Sequence, residues 1–507
     1  MKAWLQGWRA DLAAMGVGAV SAAALPPLHV IPVLWVAIPV LLTLIGAAPS
    51  WRVAARRGWW FGFGHHLFGL YWITEAILIE AARFWWLVPL AVPMIAAVLA
   101  VFTAIPAGVA RLAAPGWRRA GALAGAWVLS DIARQFVLTG FPWNLWGSVW
   151  AVPGVLGDVF IQPASLIGVQ GLSLFTLLLA CTPALSWRFR AAGLALFAAW
   201  AGFGLVRLGA VEPPLTGVTV ILVQGNVAQG QKWNRDLARN IFGRYLDMTA
   251  TALAQAGPGP KAVVWPETAV PYLLEQDPNA RASITQVTGD TPALVGGVRF
   301  GEDGRPRNDL FALLGGGTIG MRYDKWHLVP FGEYQPDWLP LPIQVVPGGG
   351  FAPGGGPQTL HVPGLPPVGP LICYEAIFGS EIIDRADRPA WLLNVTNDAW
   401  FGNSAGPRQH LAAARMRAAE EGLPLLRAAN TGISAAFDSR GRELGRIGLN
   451  QTGTLRIALP GALPVTVFAR YGLWPPGLLA AILLALTLFT RARDEQTFVS
   501  GAGIDAI

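Results

Sequence analysis

Charged residues are scarce in this chain. Only 13% of its 507 residues are Asp, Glu, Lys or Arg, about half the roughly 25% of an ordinary soluble domain. With 53% hydrophobic residues, that shortage excludes a simple soluble enzyme and a disordered chain. Cysteine is nearly absent. Cys181 and Cys373 lie in unrelated settings, which speaks against a disulfide framework. Lysine supplies only Lys2, Lys232, Lys261 and Lys325 of the 37 basic residues, and the arginines fall between apolar runs instead of gathering on one aromatic-rich face. The net charge of +7 therefore reads as membrane orientation, and no nucleic acid partner is expected. No spacing of His, Cys, Asp or Glu suits a metal, and the Gly-rich stretches lack the strand-to-helix setting of a phosphate cradle. Neither a metal nor a cofactor is expected.

Gly, Pro and Trp are abundant, at 60, 40 and 23 residues. Membrane helices tolerate the first two, and membrane interfaces collect the third. A bilayer core about 30 Å thick needs about 20 apolar residues per helical span. Runs of this kind cover 9–27, 30–48, 58–79, 86–110, 119–138, 162–184, 191–208 and 473–491, predicting about eight helices. Pro26, Pro27 and His29 mark either a turn between two short spans or a kink in one. Arg52, Arg56 and Arg57, then Arg111, Arg118 and Arg119, then Arg188 and Arg190 fall in alternate connections, which the positive-inside rule places in the cytoplasm. Arg491 and Arg493 return the tail there. The chain thus divides into a membrane domain of about seven helices over 1–208, an outside domain over 209–472, and a last span with a cytoplasmic tail over 473–507. In a bacterium, the outside is the periplasm.

The outside domain alternates strand and helix. GVTVILVQ (217–224), AVVWP (262–266), PALVGGVRF (292–300), LFALLGGG (310–317), VGPLICYE (368–375) and AWLLNVTND (390–398) read as buried strands, with helices over 235–255 and 408–421. PGGGFAPGGGP (347–357) reads as a loop. Polar chemistry sits at three strand ends. Glu267 follows a strand in WPET, and Lys325 lies among apolar neighbours in YDKWHLVPFGEYQP (323–336), with Glu333 further along. Cys373 ends a strand where Tyr374 and Glu375 start a helix, whose amides, with a nearby cation, are expected to favour its thiolate. Each has a bland alternative taken alone: a helix N-terminal carboxylate, a snorkelling surface lysine, an inert buried thiol. Together they supply a nucleophile, a base for its proton and a cation for an oxyanion. His327 is the second choice of base and is expected to point away from Lys325. Cys181, in LLLACTPAL, reads as packing.

These segments, with NDAWFGNSAGPRQHLAAARMRAAE (397–420) and TGFPWNLWG (139–147), resemble the motifs of the apolipoprotein N-acyltransferase family, whose outside domain belongs to the nitrilase (carbon–nitrogen hydrolase) superfamily. The resemblance covers nearly the whole chain. It implies an α-helical transmembrane bundle plus an α/β nitrilase-like αββα sandwich, with Glu267, Lys325 and Cys373 as a catalytic triad. It further implies Glu333 and Glu375 as supporting acids, Tyr374 as the tyrosine after the nucleophile, Trp233 in QGNVAQGQKW as a substrate-binding tryptophan and Asn308 as a site asparagine. The implied partners are a phospholipid acyl donor, attacked at its sn-1 ester, a diacylated apolipoprotein acceptor and the bilayer. The implied place is the bacterial inner membrane, with the catalytic domain facing the periplasm, and a monomer is expected. The alternative reading is a membrane-tethered nitrilase-type amidase, in which water replaces the acceptor amine. Phe141, Trp143, Trp146, Trp400 and Phe401 are expected either to line an entrance for lipid tails or to anchor at the interface.

Replacing Cys373 with Ser is expected to block labelling by a lipid-derived acyl group or a thiol-directed probe, while Cys181→Ser leaves labelling intact. Mass spectrometry reads both, and equal acylation of the Cys373→Ser protein would remove the nucleophile assignment.

Overall fold

Backbone polar groups held away from water must satisfy one another, and apolar runs do so by becoming helices. The computed structural model describes residues 7–232, 235–336 and 350–489, so Trp233, Arg491 and Arg493 lie outside the described residues. Its longer helices before the first strand are α1 (Gly7–Ser21), α2 (Leu34–Gly46), α3 (Trp51–Gly69), α4 (Ala81–Leu112), α5 (Trp117–Phe136), α6 (Ala164–Cys181) and α7 (Trp187–Gly209), with short helices at Ile73–Leu78 and Val155–Phe160. Among the described residues, α4, α7 and the stretch Ala164–Ala184 containing α6 are long and apolar enough to cross a membrane. Ile31–Gly46 and Trp474–Phe489 are apolar but shorter.

The structure decides between the two readings of the first pair of helices, and it moves one expected boundary. Around Pro26 and Pro27 the chain turns after a 3-10 segment (Ala22–Ala24), so α1 and α2 are separate helices instead of one kinked rod. The run expected over 58–79 is displaced because Ser50 caps α3, its side chain accepting from the Val53 amide at 3.4 Å. Arg52, Arg56 and Arg57 consequently lie on a helix and not in a connection. Arg57 is buried and donates to the Leu44 carbonyl, and Arg111 donates to the Ala48 carbonyl at 2.7 Å. Both satisfy carbonyls near the C-terminus of α2, where cations also suit the helix dipole. The two arginine groups therefore meet at one end of the bundle.

Beyond α7 come β1 (Thr219–Gln224), α8 (Arg235–Ala254), β2 (Lys261–Trp265), α9 (Pro278–Thr288), β3 (Ala293–Phe300), β4 (Pro306–Leu314), β5 (Thr318–Asp324), β6 (Val368–Ile372), β7 (Trp391–Thr396), α10 (Gly406–Glu421), β8 (Leu425–Ala429), β9 (Ser434–Phe437), β10 (Glu443–Ile447), β11 (Gly453–Ala458) and α11 (Trp474–Phe489). One sheet has the order β11-β1-β2-β3-β4-β5, the other β10-β9-β8-β7-β6. The runs β1-β2-β3 and β6-β7-β8 are parallel, the second ending at the edge strand β6.

Successive strand side chains point to opposite faces, and here both faces are covered. Val220, Leu222 and Val264 meet Ile372, Val395 and Leu426 between the sheets. Ile221, Val223 and Trp265 pack outward on Phe242, Tyr245 and Ile284 of α8 and α9, and Leu392 and Leu425 pack on Leu411, Ala414 and Ala418 of α10. The layers run helix, sheet, sheet, helix. This two-sided burial is why the central strands read as continuous apolar runs.

The sandwich is stitched to the helical region through α6. Gly168 has φ +64° and interrupts the helix. The next amide, that of Val169, donates to Glu420 Oε1 of α10 at 2.8 Å, and Arg417 pairs with the same carboxylate at 3.0 Å. A Cβ at residue 168 would stand 2.2 Å from the Phe468 ring, so space and backbone conformation both require glycine. Gly168→Ala is expected to cost about 2–4 kcal/mol, read as a lower unfolding temperature in detergent. An unchanged temperature would show that the break tolerates a side chain.

Candidate active site

β2 ends at Trp265, and Pro266 carries the chain out of the sheet so that Glu267 stands at the strand's end. Gly296 of β3 permits this, because a Cβ there would lie 2.2 Å from the Pro266 carbonyl oxygen. Asn308 sits on β4, and the Lys325 amide donates to its carbonyl at 2.8 Å, extending the pairing just past β5. Glu267, Lys325 and Cys373 are 5%, 1% and 7% exposed.

Lys325 Nζ lies 2.9 Å from Glu333 Oε1 and 3.5 Å from Glu267 Oε1. The Asn308 side-chain amide donates to both acids, at 2.7 Å to Glu267 and 3.1 Å to Glu333. One buried and one half-buried carboxylate thus share one ammonium and one amide, which offsets their desolvation and mutual repulsion. Burial acts against the Lys325 charge, but Glu333 and then Glu267 overcome it and hold its pKa above the ordinary lysine value.

Cys373 has φ +53° and opens a five-residue 3-10 turn, Cys373–Ile377. Burial pushes its thiol pKa up and the Glu267 charge adds to this, against Lys325 and a hydrogen bond with the Thr396 side chain. The expectation of a favoured thiolate is therefore corrected: desolvation outweighs the cation, and one short turn carries little dipole. The surroundings of Cys373 thus favour its protonated form.

Glu375 ties the site together. Its Oε1 accepts from the Tyr323 hydroxyl at 3.0 Å and the Trp326 and His327 amides at 2.8 and 3.3 Å, and its Oε2 accepts from the Ile372 amide at 2.6 Å. The segment after Lys325 is thereby fastened to the strand that carries Cys373. Burial raises the Glu375 pKa to about 7 against these bonds. The Tyr374 hydroxyl donates to the Gly140 carbonyl at 3.0 Å, joining the cysteine turn to the TGFPWNLWG segment. His327 stacks on Phe378 with ring centroids 3.6 Å apart and donates from Nε2 to Thr139 O at 3.2 Å. It is thus turned away from Lys325.

The aromatic loop residues divide. Trp146 is buried against His65 and Trp127, and buried Trp143 donates to Gln409 Oε1 at 2.8 Å, so these two line no entrance. Phe401 packs on Trp72 and Trp143, while Trp400 is 39% exposed. Sequence reasoning missed Lys232, whose buried ammonium donates to Glu267 O at 3.0 Å and to the Thr268 hydroxyl. Burial lowers its pKa to about 8. The available signal was a rare lysine directly before Trp233.

Residues 17–182 match the family model described as the apolipoprotein N-acyltransferase N-terminal domain, and residues 222–462 match that for carbon-nitrogen hydrolase. The apolipoprotein N-acyltransferase of Rhodopseudomonas palustris is 38% identical over 524 residues, covering 96% of each chain. That of Brucella melitensis biotype 1 is 39% identical over 520 residues, again covering 96% of each. The chain belongs to the apolipoprotein N-acyltransferase family. In this member of the apolipoprotein N-acyltransferase family the first match runs from α1 to just past α6, and the second spans β1 through β11, so the helical region and the nitrilase-type α/β domain each have a counterpart. Among solved structures, an amidase from Nesterenkonia sp. is similar over 50% of this chain and 93% of its own, at 19% identity and a TM-score of 0.37.

In a Cys181→Ser background, alkylation of Cys373 is expected to keep accelerating beyond about pH 9, the ordinary thiol range. Glu267→Gln is expected to shift that profile to lower pH, because a removed negative charge favours the thiolate. A wild-type plateau below about pH 7 would mean that the thiolate is already formed.

Proposed function

We propose that the protein transfers a fatty acyl chain from a membrane phospholipid, through a thioester on Cys373, to the N-terminal α-amino group of the S-diacylglyceryl cysteine of an apolipoprotein. The observation that carries this reading is the convergence of a thiol, a carboxylate and a doubly paired ammonium in one buried site, with the thiol on a turn bonded to the helical region.

In the first half-reaction Glu267 takes the thiol proton as Cys373 Sγ attacks the ester carbonyl carbon. Lys325, kept charged by Glu333, receives the oxyanion. As the intermediate collapses the C–O bond breaks, and the departing lysophospholipid oxygen takes the proton from Glu267. In the second, the free amine attacks the thioester carbonyl and gives its proton to Glu267. The C–S bond then breaks, the thiolate recovers that proton, and an amide is released. Asn308 steadies both carboxylates, Glu375 and Tyr374 hold the surrounding loops, and Trp233 contributes to substrate binding.

Both substrates carry acyl chains, and each CH₂ withdrawn from lipid costs about 0.8 kcal/mol. Chemistry is cheapest where the chains can stay in the bilayer, which accounts for joining a hydrolase-type domain to α4, α6 and α7. In our reading the bundle crosses the bacterial inner membrane about eight times, over 1–208 and again within 473–507. The arginine-bearing end lies in the cytoplasm and the domain over 209–472 in the periplasm. A single chain holds every group these steps use.

The test is mass spectrometry of the full-length protein after incubation with phospholipid vesicles, with and without a diacylated lipopeptide. A fatty acyl mass on the peptide containing Cys373, discharged to the lipopeptide as an amide, is expected. Acyl recovered only as free fatty acid would instead make the protein a hydrolase.

A further inference from the structure

We propose that His410, held from behind by Asp398 and Arg427, is a positioning residue that locks the strained main chain of Cys373 in its reactive conformation. The inference rests on Cys373 being the acyl carrier of the preceding section and adds the device that keeps it in place.

A non-glycine residue at φ +53° is strained, and such a conformation persists only where its surroundings impose it. At Cys373 the imposing contact is on the main chain. His410 Nε2 lies 3.0 Å from Cys373 O. A carbonyl oxygen only accepts, so Nε2 carries the proton. On the other side of the ring, Nδ1 lies 3.0 Å from Asp398 Oδ1 and 3.1 Å from Arg427 Nη2. Arg427 Nη2 is also 2.7 Å from Asp398 Oδ2. All three side chains are buried. Burial opposes the Asp398 charge, but Arg427 and His410 outweigh it and bring its pKa down to about 2. The ring has little room to swing, because Trp143 and Phe401 lie 5.6 and 6.0 Å from it.

The same network extends to the neighbouring strand, where Thr396 donates to Asp398 Oδ1 at 3.1 Å. Cys373 is therefore gripped at its carbonyl by one set of buried polar groups, which sit on β7, β8 and α10 of the sheet opposite Glu267 and Lys325. A trans peptide is planar. Fixing Cys373 O also fixes the plane that leads into Tyr374, whose hydroxyl meets Gly140. Both half-reactions need the sulfur in the same place, and a misplacement of about 1 Å is enough to cost roughly 100-fold in rate.

The experiment compares His410→Gln with His410→Asn in the full-length protein, beside wild type. The readouts are single-turnover acyl-enzyme formation from phospholipid vesicles, KM for a diacylated lipopeptide, unfolding temperature, and alkylation of Cys373 by iodoacetamide. The glutamine amide reaches as far as Nε2, and the asparagine amide stops one bond short. Gln is expected to acylate within about 10-fold of wild type, and Asn to fall about 100-fold at an unchanged KM. Equal acylation rates for the two folded variants, fast or slow, would overturn the proposal. Should His410→Asn not fold, Asp398→Asn takes its place: slower acylation at unchanged KM supports the role, and wild-type rates overturn it. If wild type itself forms no acyl-enzyme, the functional reading fails. The alkylation rates of the variants then still decide whether His410 sets the thiol's reactivity.

Discussion

One buried ammonium organises the centre of this domain. Lys325 is the only described cation that touches both Glu267 and Glu333, and without it the two neighbouring carboxylates would simply repel each other. Its position is set by main chain as much as by charge, through the Asn308 carbonyl on one side and the loop that Glu375 clamps on the other. Strands β2, β4 and β6 thus deliver their functional residues to a single point, and the ammonium makes that point tolerable.

The sandwich supplies rigidity where it is needed. Glu267, Lys325 and Cys373 all lie one residue or two past a strand, close enough to inherit its order and far enough to leave the ladder. Glycine at 296 lets the Glu267 segment press against β3. On the opposite sheet the backbone at Cys373 takes a conformation that a regular strand or helix would not offer. The two halves of the site have different demands: the acid and ammonium need mutual neutralisation, whereas the thiol needs a fixed direction.

Much of this was legible in the sequence, for identifiable reasons. β1, β2, β3, β6 and β7 are apolar on both faces and stand out as runs. β8 carries buried Arg427, β9 is only four residues long, and β10 and β11 are partly exposed, so none of them gives a clean pattern. The start of α3 was hidden because its first turns carry arginines that look like a loop until Ser50 is seen capping them. Among site residues, Glu267, Lys325 and Cys373 announce themselves at strand ends, and Asn308, Glu333, Tyr374 and Glu375 through the family motifs. The protonation of Cys373 did not, because desolvation depends on what covers the sulfur. His410 was illegible for another reason: its target is a main-chain oxygen 37 positions away, and nothing in a helical stretch marks such a partner.

The break in α6 has a consequence for the order in which the molecule is made. Gly168 leaves the amide of Val169 without a helical partner, and the carboxylate that satisfies it belongs to Glu420, 251 positions later in the chain. The helix is therefore completed only after residue 420 has been translated and the sandwich has docked on it, so the contact that finishes α6 is also the one that joins the two regions.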